Sequence, residues 1–356
     1  TEGYIFLPTR NVKTQKIEWE NKKYDDEKQH LAFQKRVSPK VGDILLAKNG
    51  TTGVAAMVDR DISFDIYVSL AHIRPLEGIT SEFMLHFINS PIAKSQFNKR
   101  LKGVGVPNLH LKEIREVKIP YPKSLAEQQK IVTLLDEAFA QIDRAKANIE
   151  QNIVNAKELF QSKLNEIFSQ REEGWEEAKY GEVIKMKSGH NLTAKKMIKG
   201  DFPVYGGNGI AGYHNSYNIE GENIIIGRVG ALCGNVRFIN ESIWLTDNAF
   251  KISKLYYEFD LEFLTYLLNY IDLRSYARQA AQPVISNSSL KNVGLRFPID
   301  KNIQIKIRQE IKMIEEKVNQ IFKPYQQKLQ NLEELKKSLL EKAFSGALTR
   351  DSITAS

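Results

Sequence analysis

The chain has 356 residues, of which 42% are hydrophobic and 26% are charged, and its formal net charge is +8. No apolar run approaches the roughly 20 residues that a membrane-spanning helix needs. The single cysteine, Cys233, excludes an intramolecular disulfide and a cysteine-rich zinc site. We therefore expect a globular cytoplasmic protein, and the basic balance favours a polyanionic partner such as nucleic acid.

The first predicted domain covers residues 1–123. Its apolar strand lies in "GDILLAKNGTTGVAAMV" (42–58) and is followed by a basic residue, Lys48, and a glycine, Gly50. A short amphipathic helix follows in "SEFMLHFINS" (81–90), and a turn with a strand follows in "LKEIREVKIPYP" (111–122). These features predict a mixed domain of strands and short helices.

A long helix is predicted over residues 124–169. Its apolar positions recur with a 4-3 spacing, which is the pattern of a coiled coil. At 1.5 Å per residue it would be about 65 Å long. The predicted core positions of this helix are Ile131, Leu135, Ile142, Ile149 and Leu159.

The second predicted domain, residues 170–301, repeats the first. "GENIIIGRVGALCGNVRFI" (221–239) matches the first strand segment, with Arg228 in place of Lys48 and Gly230 in place of Gly50. "LEFLTYLLNY" (261–270) and "LKNVGLRFPID" (290–300) match the later segments, at an offset of about 180 residues. So long a period indicates a duplicated domain rather than a solenoid.

A second long helix is predicted over residues 302–348, followed by a tail at 349–356. Pro324 is expected to kink this helix. Its predicted core positions are Ile307, Ile311, Ile314, Val318, Ile321, Leu332, Leu335 and Leu339. One amphipathic helix cannot bury its stripe of apolar core positions by itself. The two long helices are therefore expected to pair with each other.

The predicted fold class is α/β of the α+β kind. It has two repeated domains joined by two long antiparallel coiled-coil helices. Antiparallel pairing would place the domains at opposite ends, giving a dumbbell with pseudo-twofold symmetry.

The glycines of "YGGNGIAGYHN" (205–215) form a G-x-G-x-x-G pattern, but the following "YHNSYNIEG" favours a turn over the helix that a dinucleotide site needs. Walker, G-x-S-x-G and H-E-x-x-H motifs do not occur, and the histidines are scattered singly. A loose nuclease-like match, Pro298 and Asp300 with Glu310-Ile311-Lys312, falls on the heptad helix rather than on a strand. We therefore predict a protein that is not an enzyme and binds no metal.

The order domain, helix, domain, helix resembles the specificity (S) subunit of type I restriction–modification systems over essentially the whole chain. The resemblance rests on the duplicated strand segments and on "VYGGNGIAGYHN", "WLTDNAF" (244–250), "EQQKIVTLLDEAFAQID" (127–143) and the "FSGALT" ending. It implies two target-recognition domains that each bind half of a split double-stranded DNA site, and two helices that form a spacer. The second domain opens with "GWEEAKYGEVIKMKSG" (174–189), for which the first has no counterpart, so an initial strand of the first domain is expected to be missing.

The same resemblance implies partners and cofactors. Two methyltransferase (M) subunits would dock on the helices, and restriction (R) subunits would join through M. S-adenosylmethionine, ATP and Mg would be bound by those partners and none by this chain, which would associate with the nucleoid. The complex would act as an adenine DNA methyltransferase and an ATP-dependent endonuclease.

Polar loop residues next to the duplicated strands are the candidate DNA contacts, because phosphates take Lys and Arg while base edges take Arg, Asn, Gln, Ser and Thr. The first-domain candidates are Lys48, Asn49, Thr51, Thr52, Lys99, Arg100, Lys102, Asn108 and His110. The second-domain candidates are Asn208, Tyr213, His214, Arg228, Arg278, Gln279, Gln282, Ser286 and Asn287.

Two other function classes stay open from the sequence. One is an enzyme, a nuclease or methyltransferase with drifted motifs, which would bind its cofactor as an isolated chain. The other is a coiled-coil adaptor with protein- or ligand-binding heads, which would have no DNA affinity.

Overall fold

The computed structural model describes residues 3–102, 107–170, 173–278 and 282–347. It divides into two compact units. The first unit comprises Thr1–Gln151 with Tyr325–Ser356, and the second comprises Asn152–Pro324. No helix of the described ranges is long and apolar enough to cross a membrane.

The first unit combines short strands with four short helices and part of a long one. Its strands are β1 (Tyr4–Leu7), β2 (Val12–Lys13), β3 (Lys16–Ile17), β4 (Lys23–Asp25), β5 (Ile44–Ala47), β6 (Ala55–Met57), β7 (Phe64–Ile66) and β8 (Leu70–Ile73). Its short helices are α1 (Glu27–Arg36), α2 (Ser81–Ile88), α3 (Pro91–Asn98) and α4 (Leu111–Arg115), and the long helix α5 (Leu125–Ser169) begins in it. The strands form two three-stranded sheets, β4-β1-β7 and β6-β5-β8, and the β2–β3 hairpin.

The second unit has the same kinds of element. Its strands are β9 (Trp175–Lys179), β10 (Ile184–Ser188), β11 (Phe202–Gly206), β12 (Gly209–His214), β13 (Asn223–Gly227), β14 (Val236–Ile239), β15 (Trp244–Leu245), β16 (Ala249–Leu255) and β17 (Gly294–Pro298). Its helices are α6 (Tyr180–Val183), α7 (Leu261–Tyr270) and α8 (Asn287–Leu290), and the long helix α9 (Lys301–Phe344) begins in it. The sheets are β10-β16-β13-β14, β12-β11-β15 and β17-β9.

Each unit is built around one strand that is buried on both faces. In β5, Ile44 and Leu46 belong to one hydrophobic cluster, while Leu45 and Ala47 belong to another. Strand side chains alternate between faces, so a continuous apolar run places residues in two cores at once. The β13 strand does the same in the second unit, where Ile224 and Ile226 face one cluster and Ile225 faces the other.

The internal repeat extends to individual hydrogen bonds. After α2, the Asn89 side chain accepts from the Ala55 N–H and donates to the Ala55 carbonyl. In the last turn of α7, Asn269 makes the same two bonds with Val236, at 3.1 and 3.0 Å. The predicted α+β fold with two repeated domains is therefore confirmed.

A buried glutamine anchors the first turn of each long helix. The Gln304 amide donates to the carbonyls of Pro298 and Glu258, at 2.8 and 3.2 Å, and its Oε1 accepts from the Asp260 N–H at 2.8 Å. In the first unit, Gln128 makes the equivalent bonds, which are to Pro122 O, Gly78 O and Thr80 N–H. Both side chains are fully buried, so each fixes its helix to the segment that precedes it and to the N-cap of the short helix; this segment is the end of β17 for Gln304 and an irregular stretch for Gln128.

Segments of α5 and α9 pair antiparallel inside each unit. In the first unit, Asp143 pairs with Lys336 and Lys146 with Glu333, so numbers rise along one helix as they fall along the other. In the second, Lys157 lies over the Phe322 ring at 5.9 Å, while Phe168 shares a core with Ile311. Pro324 lies inside α9 and does not end it.

The predicted stripe of core positions needs a correction along both helices. Ile131, Leu135, Ile142, Ile307, Ile311 and Val318 are buried, and Ile149, Ile314, Leu332 and Leu339 are half-buried. Leu159, Ile321 and Leu335 are instead 58%, 42% and 46% exposed.

At those three places the next residue along takes the inner position, namely Phe160, Phe322 and Lys336. A heptad advances 3.5 residues per turn, whereas an α-helix advances 3.6, so a strict heptad drifts by about 20° with each repeat. Ile321 lies two heptads beyond Ile307, and Leu159 and Leu335 lie four heptads beyond Ile131 and Ile307. These three positions have therefore turned by about 40° to 80° away from the buried face.

Candidate nucleic-acid interface

In the second unit, Arg228 follows the end of β13 and is held by backbone bonds on two sides. Its N–H donates to the Asn248 carbonyl at 2.9 Å, and its own carbonyl accepts from the Ile285 N–H at 2.9 Å. The Cys233 thiol also donates to this carbonyl, at 3.2 Å, and burial raises the pKa of that thiol, which keeps it protonated as a donor. The main chain at Arg228 is therefore fixed.

The Arg228 side chain is half-buried and partly anchored. Its guanidinium lies 5.5 Å from the centre of the Phe250 ring, and Nη1 donates to the Asp247 carbonyl at 3.3 Å. Its Nε is buried without a hydrogen-bond partner among the described residues. A guanidinium held against an aromatic ring is pre-oriented to donate two parallel hydrogen bonds, as to a guanine edge or to two phosphate oxygens.

The glycine-rich segment forms the β11–β12 hairpin beside Arg228. A Cβ on Gly207 would lie 2.2 Å from the Val229 carbonyl oxygen, and Gly209 has a φ of +107°. A strand rather than a helix follows the glycines, so they serve a tight turn and a close backbone approach rather than a dinucleotide. At the hairpin tip, exposed Asn208 accepts at Oδ1 from the Leu232 N–H at 3.0 Å.

Segment 282–287 packs against the same strand end. The Gly230 N–H donates to the Pro283 carbonyl at 3.3 Å, and the Arg278 N–H donates to the Val284 carbonyl at 2.9 Å. Ser286 caps α8 by accepting from the Ser289 N–H at 3.1 Å. The structure thus brings together the candidates Asn208, Arg228, Arg278, Gln282, Ser286 and Asn287.

Two second-unit candidates stand apart. His214 is buried, accepts from the Ile198 N–H at 3.0 Å and packs edge-on against Trp244, so its role is structural and we remove it from the interface. Tyr213 is exposed on β12, where it pairs with Pro203. Gln279 lies outside the described residues.

The first unit repeats this arrangement around Lys48. Its N–H donates to the Ser69 carbonyl at 2.9 Å and its carbonyl accepts from the Leu109 N–H at 2.8 Å, while the Gly50 N–H donates to the Pro107 carbonyl at 3.2 Å. A bridge joins Asn49 to Asn108, and another joins Asn108 to Lys102. The candidates gathered here are Lys48, Asn49, Thr51, Thr52, Lys102 and Asn108, with exposed His110 next in the chain.

Two first-unit candidates fall at the end of α3. Arg100 donates through Nη1 to the Gln96 carbonyl at 3.0 Å and through Nη2 to the Glu116 carbonyl at 3.4 Å. Its guanidinium thus makes hydrogen bonds inside the unit, and its contact with DNA stays a prediction. Lys99 is exposed at the C-cap of α3.

A polar segment that the sequence analysis missed adjoins the first-unit cluster. Thr9, Arg10, Lys13 and Thr14 line a cavity of about 660 Å³ together with Asn49, Gly50 and Thr51. These residues follow β1, which pairs parallel with β7 just as β11 pairs parallel with β15. The signal for them was the polar "PTRNVKT" run after an apolar strand, at the place that the glycine hairpin takes in the second unit.

No group of three or more His, Cys, Asp or Glu side chains that could hold a metal ion occurs within the described ranges. The interface contains backbone N–H groups, amides, hydroxyls and cationic side chains. These groups suit binding to a polyanion with exposed hydrogen-bonding edges.

The comparisons with known proteins agree with this geometry. The model of the type I restriction modification DNA specificity domain matches residues 8–155 and 172–335. The type I restriction enzyme EcoprrI specificity subunit of Escherichia coli is 30% identical over 191 residues, which are 51% of this chain and 47% of that one. The StySPI specificity subunit of Salmonella potsdam is 26% identical over 317 residues, covering 78% of this chain and 67% of the relative.

A solved structure concerning complex assembly and conformational transition of the type I R-M system has the same fold. Its TM-score is 0.80 at 17% identity, over 97% of this chain and 92% of that one. With the EcoprrI subunit the match spans only about half of either chain. Because the domain model matches both halves of the sequence, the chain belongs to the family of type I restriction–modification DNA specificity proteins.

Proposed function

We propose that this chain is the sequence-specific DNA-binding subunit of a type I restriction–modification complex, and that each unit binds one half of a split target. The observation that carries this proposal is the duplicated strand end. Lys48 in one unit and Arg228 in the other are held by equivalent backbone bonds beside polar, glycine-rich turns. Rigid strands that present polar loops are suited to base recognition.

The charge of the chain supports the same proposal. A net charge of +8 attracts DNA without regard to sequence, while specificity comes from contacts to base edges. Polar groups concentrated on turns, rather than an even basic surface, favour direct recognition of bases. A coiled-coil adaptor without DNA affinity would need no cluster of polar side chains around Lys48 or Arg228.

The chain would act through partners. We propose that two methyltransferase subunits dock on the α5 and α9 helices and that restriction subunits join through them, with the assembly at the nucleoid. S-adenosylmethionine, ATP and Mg would be bound by those partners, and this chain would supply no catalytic group. The assembly would then methylate adenine and cleave DNA with ATP.

Mapping of methylated adenines in cells with and without the gene tests the proposal. We expect one set of split-site adenine marks to disappear with the gene and to return with a plasmid copy. The purified chain with its partners should then bind a duplex that carries the mapped site more tightly than a shuffled duplex at the same salt concentration.

An unchanged methylome together with no duplex binding would overturn the proposal and favour the adaptor. Binding of S-adenosylmethionine by the isolated chain would favour the enzyme alternative instead. The plasmid copy controls for indirect effects of the deletion.

A further inference from the structure

The turn after Arg228 presents one apolar side chain inside a polar surface. Leu232 is 41% exposed, and it lies between Gly230 and Gly234, which have φ angles of +95° and +87°. Single exposed leucines are ordinary on protein surfaces and by themselves indicate nothing. The backbone around Leu232 distinguishes it from the others.

Three parts of the second unit clamp this turn. The Leu232 N–H donates to Asn208 Oδ1 at 3.0 Å, which fixes it to the β11–β12 hairpin. The Ala231 carbonyl accepts from Arg274 Nη1 at 2.8 Å, which fixes it to the segment after α7. A Cβ on Gly227 would lie 2.6 Å from the Leu232 carbonyl oxygen, so the turn also lies against the end of β13.

Hydrogen bonds inside the turn complete the clamp. The Cys233 N–H donates to the Gly230 carbonyl at 3.1 Å, and the Gly234 N–H donates to the Gly227 carbonyl at 2.8 Å. The main chain that carries Leu232 is therefore held in place, so little backbone entropy is lost on binding. It lies beside Asn208, in the same polar cluster as Arg228.

The first unit has an equivalent turn that is one residue shorter and has different chemistry. There the Gly53 N–H donates to the Ala47 carbonyl at 2.9 Å, and Gly50 and Gly53 have φ angles of +70° and +78°. The residues between these glycines are Thr51 and Thr52, which carry hydroxyls. The duplicated turn thus presents hydrogen-bonding groups in one unit and an apolar group in the other.

We infer that Leu232 is a specificity-determining residue that contacts the C5-methyl group of one thymine in the half-site bound by the second unit. The inference rests on the proposed function. The thymine methyl is the apolar feature that distinguishes base edges in the major groove, and aliphatic side chains contact it. Because more than half of Leu232 is covered, it does not project far enough to wedge between stacked bases, as minor-groove wedges do.

Replacing thymine by deoxyuridine removes this methyl group and changes nothing else. With the mapped target as a duplex, each thymine of both half-sites is replaced in turn, and the affinity of the full chain with its partners is measured at fixed salt. We expect one replacement to weaken binding about three- to fivefold, the ratio that ~0.8 kcal/mol for one buried methyl group gives. The Leu232→Ala variant should bind the thymine and deoxyuridine duplexes equally.

Two further variants serve as controls. Leu232→Met keeps an apolar side chain of similar volume and should keep the discrimination. Leu76→Ala removes an exposed leucine of the first unit and should also keep it. The deoxyuridine series needs no variant, so a folding defect in Leu232→Ala leaves the test intact.

The inference is overturned if no thymine shows the effect, or if Leu232→Ala retains it. Weaker binding of Leu232→Ala to every duplex, with no thymine preference in the parent, would indicate a wedge and would also overturn it. Failure of the proposed function looks different, because then no duplex is bound specifically at all.

Discussion

Asp43 directly precedes the buried strand β5, and its carboxylate accepts four hydrogen bonds. Arg74 donates through Nε and Nη2, at 2.8 and 2.6 Å, His72 donates through Nε2 at 2.7 Å, and the Lys40 N–H donates at 2.8 Å. Burial by itself would raise the pKa of Asp43, but the bonds from Arg74, His72 and Lys40 outweigh it and lower the pKa to about 2. The charged form is therefore favoured in the folded chain.

This shift predicts a pH dependence of stability. Because the pKa of Asp43 is lower in the folded chain than its ordinary value of 3.8, its contribution is present above about pH 4 and is lost as the pH falls towards 2. Urea unfolding between pH 5 and pH 2 should show a steeper loss for the parent than for Asp43→Asn. Parallel curves for the two chains would contradict the assignment.

Arg228 gives a prediction for binding at the same scale. Arg228→Ala should weaken binding of the mapped duplex by about 1–3 kcal/mol, because a planar donor pair to a base is lost. Lys306→Ala removes one exposed positive charge from α9 and should have a smaller effect. Equal losses for the two variants at fixed salt, with unchanged melting temperatures, would show that Arg228 contributes only charge.

At the scale of elements, leucine substitutions on α5 test the corrected positions of the buried face. Leu164 is buried in the core of the second unit, whereas Leu159, one and a half turns earlier on α5, is 58% exposed. Leu164→Ala should therefore lower the free energy of unfolding by about 2–5 kcal/mol, and Leu159→Ala by less than about 0.5 kcal/mol. Urea unfolding measures both, and the strict heptad, which includes Leu159 but not Leu164, would instead give the larger loss for Leu159→Ala.

The glutamine anchor of α9 gives a second prediction at this scale. Gln304→Ala leaves the Asp260 N–H and the carbonyls of Pro298 and Glu258 without their side-chain partner. Such a loss should cost about 1–3 kcal/mol of unfolding free energy. Gln309→Ala, at an exposed position of the same helix, is the matched control and should leave the unfolding midpoint nearly unchanged.

The elements themselves were largely predictable from the sequence. The strand of 42–58 and its repeat were visible because continuous apolar runs ended by glycine produce a buried strand followed by a turn. The helix ends were predicted within a few residues of Leu125–Ser169 and Lys301–Phe344. The stripe failed at Leu159, Ile321 and Leu335 because a small angular error per turn accumulates along a long helix.

The roles of individual polar residues were less predictable. Arg100 and His214 are both polar and lie in or beside glycine-rich segments, and both make tertiary hydrogen bonds that the sequence does not indicate. Their partners, the Glu116 carbonyl and the Ile198 N–H, lie 16 residues away in the chain and are set by tertiary packing. The residues next to Arg100 or His214 in the sequence do not indicate such a partner. Only the tertiary structure therefore shows which polar groups remain free to bind a ligand.

At the scale of the whole molecule, each unit has its own cores and its own copy of the strand-end arrangement. Exchanging 152–324 for the corresponding part of a relative should therefore change one half of the target and leave the other half unchanged. Methylation mapping of the chimera measures this. Simultaneous change of both half-sites would contradict independent recognition.

The exchanged part must include the segments of α5 and α9 that belong to the second unit. Leu164, Phe168 and Ile311 are part of the second unit's core, although they lie outside the predicted domain 170–301. Exchanging 170–301 alone would pair foreign core residues with these three side chains. We expect that shorter chimera to melt at a lower temperature than the 152–324 chimera.

The clamped turn also bears on how such a chain changes over generations. Its internal bonds join main-chain groups of Gly227, Gly230 and Gly234, and those of the first unit join Ala47, Gly50 and Gly53. The side chains at Leu232 and Thr51 contribute none of these main-chain bonds, so substitution there costs little folding free energy. With the DNA contacts that we propose for Leu232 and Thr51, mutation would explore new targets at these positions while selection for stability acts on the glycines, and a lineage would replace its target without first passing through unfolded intermediates.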